Sequence, residues 1–318
     1  KLMRFKYELP AVFLIGPTAS GKTDTAIDLS EKFPFEIISI DSGMVYKDMD
    51  IGTCKPHKDT LVKTKHHLVD LVSPNDNFDL GVFLKHLEPS IKEIKSREKI
   101  PLFVGGSMMY HNILLNGFHD FPSNPKIRKN LDQEFEDLGI QSLQKKLKSL
   151  DPDLFEIIDT SNPRRLIRAL EIIEITGKKM STLREKKKIK FFDKANCLKI
   201  GINTEKKGLT DLATKRLNEI LEGGFKEELE KIIKKYRLKS HDQSMQSINY
   251  KQYFDCIVGS KSFEQAYNEA LKATSLLIKS QQTWLKKLDI DTLIDCKNIK
   301  MTQQIFDTIT EYQRRLIQ

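Results

Sequence analysis

The residues Gly16-Pro17-Thr18-Ala19-Ser20-Gly21-Lys22-Thr23 spell G-x-x-x-x-G-K-T, a spacing suited to holding phosphate. Gly16 and Gly21 permit backbone angles and a close approach that a side chain would block. Successive backbone N–H groups of the loop can then converge on phosphate oxygens. Lys22 adds a mobile cation, and the Thr23 hydroxyl can ligate Mg²⁺. An ordinary glycine turn is the competing reading, and the context of the loop argues against it. A second candidate is Asp41, a carboxylate at the end of an apolar run and one βα unit beyond the loop, on the ligand side of a parallel sheet. It suits a base or a metal ligand; capping the next turn is the alternative. A third is Ser107, which follows Gly105-Gly106 and can donate one hydrogen bond where the backbone can approach a ligand closely.

These groups need a scaffold, and the apolar pattern supplies one. Val12–Ile15 reads as a strand into the glycine loop, and Asp24–Phe33 as the helix out of it. The positive end of that helix adds to the phosphate cradle. Glu36–Ile40 reads as a buried strand ending at Asp41, and Gly43–Pro56 as a loop. His66–Val72 reads as a short strand, its paired histidines suited to packing or hydrogen bonding rather than a metal. A helix opens at Asn77-Phe78-Asp79 and runs to about Lys99; Ile100–Val104 is a strand, and Met108–Leu115 a helix. The expected fold is α/β, a P-loop NTPase-like parallel sheet flanked by helices. No aspartate follows Val104, where a phosphate-loop ATPase carries its metal-holding residue, which argues against a conventional ATPase.

Phe121–Pro125 reads as a linker, and from Lys126 to about Arg184 the pattern is helical. Leu131/Phe135/Leu138 and Leu143/Leu147/Leu150 form apolar faces; Asp151-Pro152 and Asn162-Pro163 start new helices. Arg164, Arg165 and Arg168 share a helix surface, and Arg184–Lys190 is a further basic cluster; solvated faces are the alternative to a binding role. Strand pattern resumes at Ala195–Ile202. Helices follow at about Leu209–Leu221, Lys226–Tyr236 and Ser262–Lys287, then a strand at Thr292–Ile294 and a helix at Thr302–Leu316. The division expected is a catalytic core from 1–120 with 191–318, and an all-helical insertion at 121–190.

Among 318 residues, 39% are hydrophobic and 31% charged, which suits a globular chain. No apolar run is long enough to span a bilayer, and the start of the sequence lacks a signal-peptide pattern, so a cytoplasmic protein with no membrane role is expected. Cys54, Cys197, Cys256 and Cys296 are widely spaced and read as reduced thiols. The net charge of +9 fits a polyanionic partner equally as well as dispersed, solvated lysines.

Several segments together resemble the tRNA dimethylallyltransferases (isopentenyltransferases) of bacterial type. They are GPTASGKT at Gly16–Thr23, DSGMVYKDMDIGTCKP at Asp41–Pro56, HHLVD at His66–Asp70, VGGSMMY at Val104–Tyr110, NPRRLIRALEI at Asn162–Ile172 and QTWL at Gln282–Leu285. The resemblance implies transfer of a dimethylallyl group from dimethylallyl diphosphate to the exocyclic amine of the adenosine 3′ of the anticodon, in tRNAs reading U-initial codons. It implies that Gly16, Thr18, Ala19, Ser20, Gly21, Lys22, Thr23 and Arg128 hold the diphosphate, with Mg²⁺ on Thr23. Asp41 would take the amine proton, with Lys22 and Ser107 as its catalytic partners. Asp41, Ser42, Gly43, Met44, Ser107, Arg128, Arg164, Arg165, Arg168, Gln246, Asn249, Tyr250 and Lys251 would contact tRNA, and the helical insertion would grip the anticodon arm. A monomer is expected. The sequence departs from the family pattern at Met44, often Gln, and at Asn249, usually Gly. Ser280, Leu212 and Ser275 stand where arginines are common. A small-molecule or nucleotide kinase and a catalytically weakened tRNA-binding paralogue are the alternatives.

Overall fold

A computed structural model describes residues 5–317; residues 1–4 and 318, which the expected core includes, lie outside the described residues. Six strands form one sheet: β1 (Ala11–Ile15), β2 (Phe35–Ile40), β3 (His66–His67), β4 (Ile100–Gly105), β5 (Cys197–Asn203) and β6 (Thr292–Asp295). Their order is β3-β2-β4-β1-β5-β6, and every neighbouring pair is parallel. Parallel strands covered on both faces read as continuous apolar runs, and AVFLI of β1 is fully buried throughout. Val12 and Leu14 face a core shared with Leu29 of the helix Lys22–Lys32 and with Ile305 and Ile309 of the helix Met301–Ile317. Phe13 points the other way and stacks on Phe103 at 4.7 Å. The chain crosses from β1 to β2 on one side and later adds β5 on the other. The turn after β1 is therefore a switch point of the sheet, the place where open α/β folds bind ligands.

Two details differ from the sequence reading. The strand at His66–Val72 shrinks to His66–His67, because Leu68 and Asp70 take left-handed backbone angles (φ 64° and 54°). The chain then leaves the sheet edge and its Asp70 and Leu71 N–H groups donate to Met44 O and Val45 O, bracing the turn after β2. Short helices at Lys58–Lys63 and Tyr250–Ile257 escaped the pattern analysis. Both histidines are hydrogen-bonded as expected: His67 Nε2 lies 2.9 Å from the buried Glu36, and His66 Nδ1 lies 2.7 Å from Thr64 O. All four cysteines are unpaired. Among the described residues no helix is long and apolar enough to cross a membrane.

The chain divides into two compact units. The larger holds the whole sheet, 7–115 with 192–317; the smaller gathers Asn116–Phe191 with Phe5 and Lys6. In the smaller unit the Asn-Pro and Asp-Pro pairs act as helix starts. Asn124, Asp151 and Asn162 each accept an N–H from the first turn of the helix that follows, and the proline supplies a preset first residue. Leu131, Leu143, Leu147, Leu154, Leu166 and Leu170 make the core of this unit. The expected apolar faces end sooner than the pattern suggests: Leu138 is 66% exposed and Leu150 41%.

Glu171, fully buried, ties the unit together. Its carboxylate accepts from Asn124 N at 2.8 Å, Arg168 Nη1 at 2.8 Å, and Arg128 Nη2 at 3.0 Å. Burial pushes its carboxyl up, yet the bonds from Arg168, the Asn124 N–H and Arg128 together hold it below its ordinary value. A depressed acid stabilises the fold above its unfolded value and loses that contribution as pH falls through the folded value. Glu171→Ala strands two arginines and is expected to cost the smaller unit about 3 kcal/mol. Chemical denaturation at neutral pH reads this directly, and the gap from wild type should narrow at acid pH.

Candidate active site

A cavity of about 710 Å³ opens where the C-terminal ends of β2 and β4 meet the glycine loop. That volume falls within the roughly 300–1,000 Å³ usual for a small-molecule site. Its wall brings together Thr18, Gly21, Lys22, Thr23, Asp41, Ser42, Gly43, Met44, Ser107, Gln246 and Asn249, residues spread over most of the larger unit's sequence.

The glycine loop has the conformation its sequence calls for. Gly21 takes φ 79°, a left-handed angle that glycine adopts without strain, and the helix starts at the next residue. Lys22 is buried, and its ammonium turns back to donate to Pro17 O and, at 3.2 Å, to Ser20 Oγ. Burial first, and the nearby Arg216 guanidinium second, push Lys22 down to about 7; Asp41 opposes them weakly. Thr18 N–H donates to Gln281 Oε1 at 2.9 Å, while Gln281 Nε2 donates to Gly106 O at 3.0 Å. The buried Gln281 amide thus clamps the loop to the end of β4, and the Thr18 amide is engaged before any ligand arrives.

Asp41 caps its turn and keeps one oxygen open. Its Oδ1 accepts from Gly43 N at 2.8 Å and Met44 N at 3.3 Å, capping the turn. Oδ2 has no hydrogen-bond partner among the described residues, so a carboxylate oxygen remains for a proton. Ser107 Oγ accepts from Ser42 N at 3.2 Å, which leaves its own proton to donate. The two glycines before it serve packing as well as access. A Cβ on Gly105 would sit 2.0 Å from Ile40 O, and one on Gly106 would sit 2.5 Å from Gln281 Nε2. Their small size is demanded by the protein itself, whatever the ligand.

A family model described as IPP transferase matches residues 44–288, which include the Asp41 turn from Met44 on, the Gly105–Ser107 strand end and Gln281. The chain belongs to the IPP transferase family. It is 36% identical to a tRNA dimethylallyltransferase of Thiobacillus denitrificans over 90% of this chain and 92% of that one. It is 34% identical to one of Coxiella burnetii over 93% and 96%. Among solved structures, the tRNA isopentenylpyrophosphate transferase of Bacillus halodurans aligns with TM-score 0.68 at 30% identity, over 98% of this chain and all of that one. A eukaryotic dimethylallyltransferase described as acting on tRNA aligns with TM-score 0.78 at 26% identity, over 92% and 75%.

For this IPP transferase family member, pattern analysis missed Arg216. It lies on the helix Lys206–Glu222 and lines the cavity with no carboxylate partner among the described residues. Leu212, one turn earlier and a position where the family pattern has an arginine, is exposed. Asn249 explains its own departure from the family pattern. Its φ of 73° lies in the region glycine favours, and asparagine tolerates such angles better than most residues. Tyr250 requires a correction: it is fully buried, with its hydroxyl donating to Glu228 at 2.6 Å, so it supports the wall and has no surface to offer tRNA. Gln246 and Lys251 are exposed, and Gln246 Nε2 donates to Ser240 O.

Gly16, Ala19 and Ser20 are not part of the cavity wall; Ser20 Oγ donates to Pro17 O. Arg128, Arg164, Arg165 and Arg168 belong to the smaller unit. There Arg128 and Arg168 are committed to Glu171, Arg165 reaches Asp159 at 3.5 Å, and Arg164 is exposed.

Proposed function

We propose that this chain transfers a dimethylallyl group from dimethylallyl diphosphate to the exocyclic amine of the adenosine 3′ of the anticodon, in tRNAs reading U-initial codons. One observation carries the reading. Lys22 and Arg216 face one cavity without a carboxylate partner of their own among the described residues, and the Arg216 guanidinium disfavours the charge on Lys22. An anion between them relieves that repulsion. The Asp41 carboxylate, with one oxygen open, lines the same cavity. Two cations and a base in one space suit a reaction that expels diphosphate and frees a proton.

The steps follow from these groups. The phosphate loop, Lys22 and Arg216 take up the negative charge that grows on the diphosphate as the allylic C–O bond breaks. The adenine amine attacks that carbon as a neutral nucleophile, and its proton passes to Asp41. Ser107 donates to the reacting groups. The base must leave its stack to reach a cavity walled by Gly43, Met44 and Asn249. Thr23 lines the cavity beside Lys22, and among the described residues no cluster of three His, Cys, Asp or Glu side chains could hold a metal. This donor set fits Mg²⁺, which keeps most of its waters and binds through substrate oxygens with few protein ligands. When bound, it neutralises diphosphate charge. The helical unit, residues 121–190 in the proposed division, grips the anticodon arm through its exposed basic residues such as Arg164. Arg128 is proposed to exchange part of its bond to Glu171 for the substrate. The enzyme acts as a cytoplasmic monomer.

Neither alternative draws support from a particular residue. The absent arginines at Leu212, Ser275 and Ser280 do not empty the site of cations, since Arg216 faces the cavity. Incubation with Mg²⁺, dimethylallyl diphosphate and unmodified tRNA should yield prenylated adenosine, read by mass spectrometry of nucleosides. Its absence from a folded sample overturns the reading, and transfer of the γ-phosphate of ATP to a small acceptor would replace it with a kinase.

A further inference from the structure

The carboxylate assigned as base sits on a turn, so something must hold that turn still. Asp41 Oδ1 is held by the Gly43 and Met44 N–H groups, and its direction follows theirs. The Thr53 methyl packs on Gly43, 3.0 Å from where a side chain would begin there. Thr53 in turn follows Asp50-Ile51-Gly52, whose successive N–H groups all donate to one side chain, that of Glu228. Asp50 N and Ile51 N reach its Oε2 at 3.0 and 2.7 Å, and Gly52 N reaches Oε1 at 3.2 Å. Tyr250 Oη completes the set at 2.6 Å. Gly52 is wedged against Phe225 and Tyr250, where a Cβ would meet ring carbons at 2.4 and 2.6 Å, and its carbonyl accepts from Asn249 Nδ2 at 3.3 Å. Glu228 stands in the first turn of the helix Phe225–Tyr236, where the positive helix end favours a carboxylate. A charged acceptor with four donors is a strong polar anchor.

We propose that Glu228 is a positioning residue for the amine-accepting side of the site, an inference that rests on the prenyl-transfer reading. It fixes the Asp50–Thr53 loop and, through Thr53 and Gly43, the direction of the Asp41 carboxylate. It also sets Gly52 and Asn249, both in the cavity wall. None of these bonds ties it to the phosphate loop or to Arg216. The two halves of the site should therefore separate when Glu228 is changed.

Glu228→Gln keeps the shape and replaces one acceptor oxygen with an NH₂ that faces donors. Since a displacement of about 1 Å can cost on the order of 10²-fold, kcat is expected to fall about 10- to 100-fold. Affinity for inorganic pyrophosphate should stay within about threefold, the signature of an interaction lost at the reacting centre alone. Tyr250→Phe removes only the hydroxyl, leaves three donors on Glu228, and should give a smaller kcat loss in the same direction; it carries the test if Glu228→Gln fails to fold. Variants that melt earlier yet keep kcat, when assayed below their melting temperature, would show a purely structural anchor and overturn the proposal. So would kcat and pyrophosphate affinity falling together. Wild-type protein is assayed alongside: if it transfers no prenyl group, the prenyl-transfer reading fails and this inference with it, whereas wild-type transfer beside a fully active Glu228→Gln overturns this inference alone.

Discussion

Asp41→Asn is expected to lower kcat by about 10²- to 10⁴-fold, the contribution of a positioned general base. Asparagine is the informative replacement because it separates the observed cap from the proposed base. Its side-chain oxygen can still accept from Gly43 N and Met44 N, so the turn stays capped. It cannot take a proton. Pyrophosphate binding depends on groups contributed by other elements and should change little. Asp41→Ala removes the cap as well and should lose both turnover and some stability. Single-turnover rates beside pyrophosphate titrations check the pair. A fast Asp41→Asn enzyme would leave Asp41 as a cap only.

Arg216→Ala carries the second large effect. Removing a guanidinium that faces a bound dianion costs about 2–4 kcal/mol, on the order of 10²-fold or more in pyrophosphate affinity. The variant should also change how binding responds to pH. In the free protein Lys22 is pushed down to about 7, by burial first and by Arg216 second. Above that pH the ammonium is largely neutral, and an arriving anion must recharge it. Binding therefore takes up a proton, and affinity weakens as pH rises through 7 and beyond. Without Arg216, Lys22 stays charged to higher pH and the decline should begin later. Calorimetry of wild type and variant in buffers of different ionisation heat reads the proton uptake, and the ionisation of pyrophosphate itself is common to both. Equal proton uptake by the two proteins would show that Arg216 does not act on Lys22.

The parts of this protein that were legible in its sequence are those fixed by local physics. The strand at Val12–Ile15, the glycine loop and the helix after it declare themselves because burial on both faces, a left-handed glycine and a following amphipathic run each leave a pattern. Asp151 and Asn162 announced helix starts for the same reason, whereas the cap at Asn124 was hidden in a stretch that reads as a linker. The parts that stayed hidden depend on partners distant in the chain. Gln281 reaches Thr18 across most of the sequence, and nothing near it in the sequence signals a clamp. Arg216 looks like one more basic residue on an amphipathic helix until that helix is laid beside Lys22. Gly105 and Gly106 looked like access for a ligand, whereas the steric demand comes from Ile40 and Gln281. Tyr250 falls in a segment matched to tRNA contacts, and only burial shows that its hydroxyl serves Glu228. The strand at His66 ended early because Leu68 and Asp70 adopt angles that β-branched and apolar patterning cannot reveal.

The central claim is that one cavity joins a departing diphosphate to an adenosine amine. It is tested most directly with dimethylallyl diphosphate labelled in the allyl group and two tRNA transcripts reading a U-initial codon. One carries adenosine 3′ of the anticodon and the other guanosine at that position. One label per adenosine transcript is expected, recovered on that nucleoside after digestion, and none on the guanosine transcript. Label on neither, or equally on both, from a folded enzyme that binds pyrophosphate would contradict it.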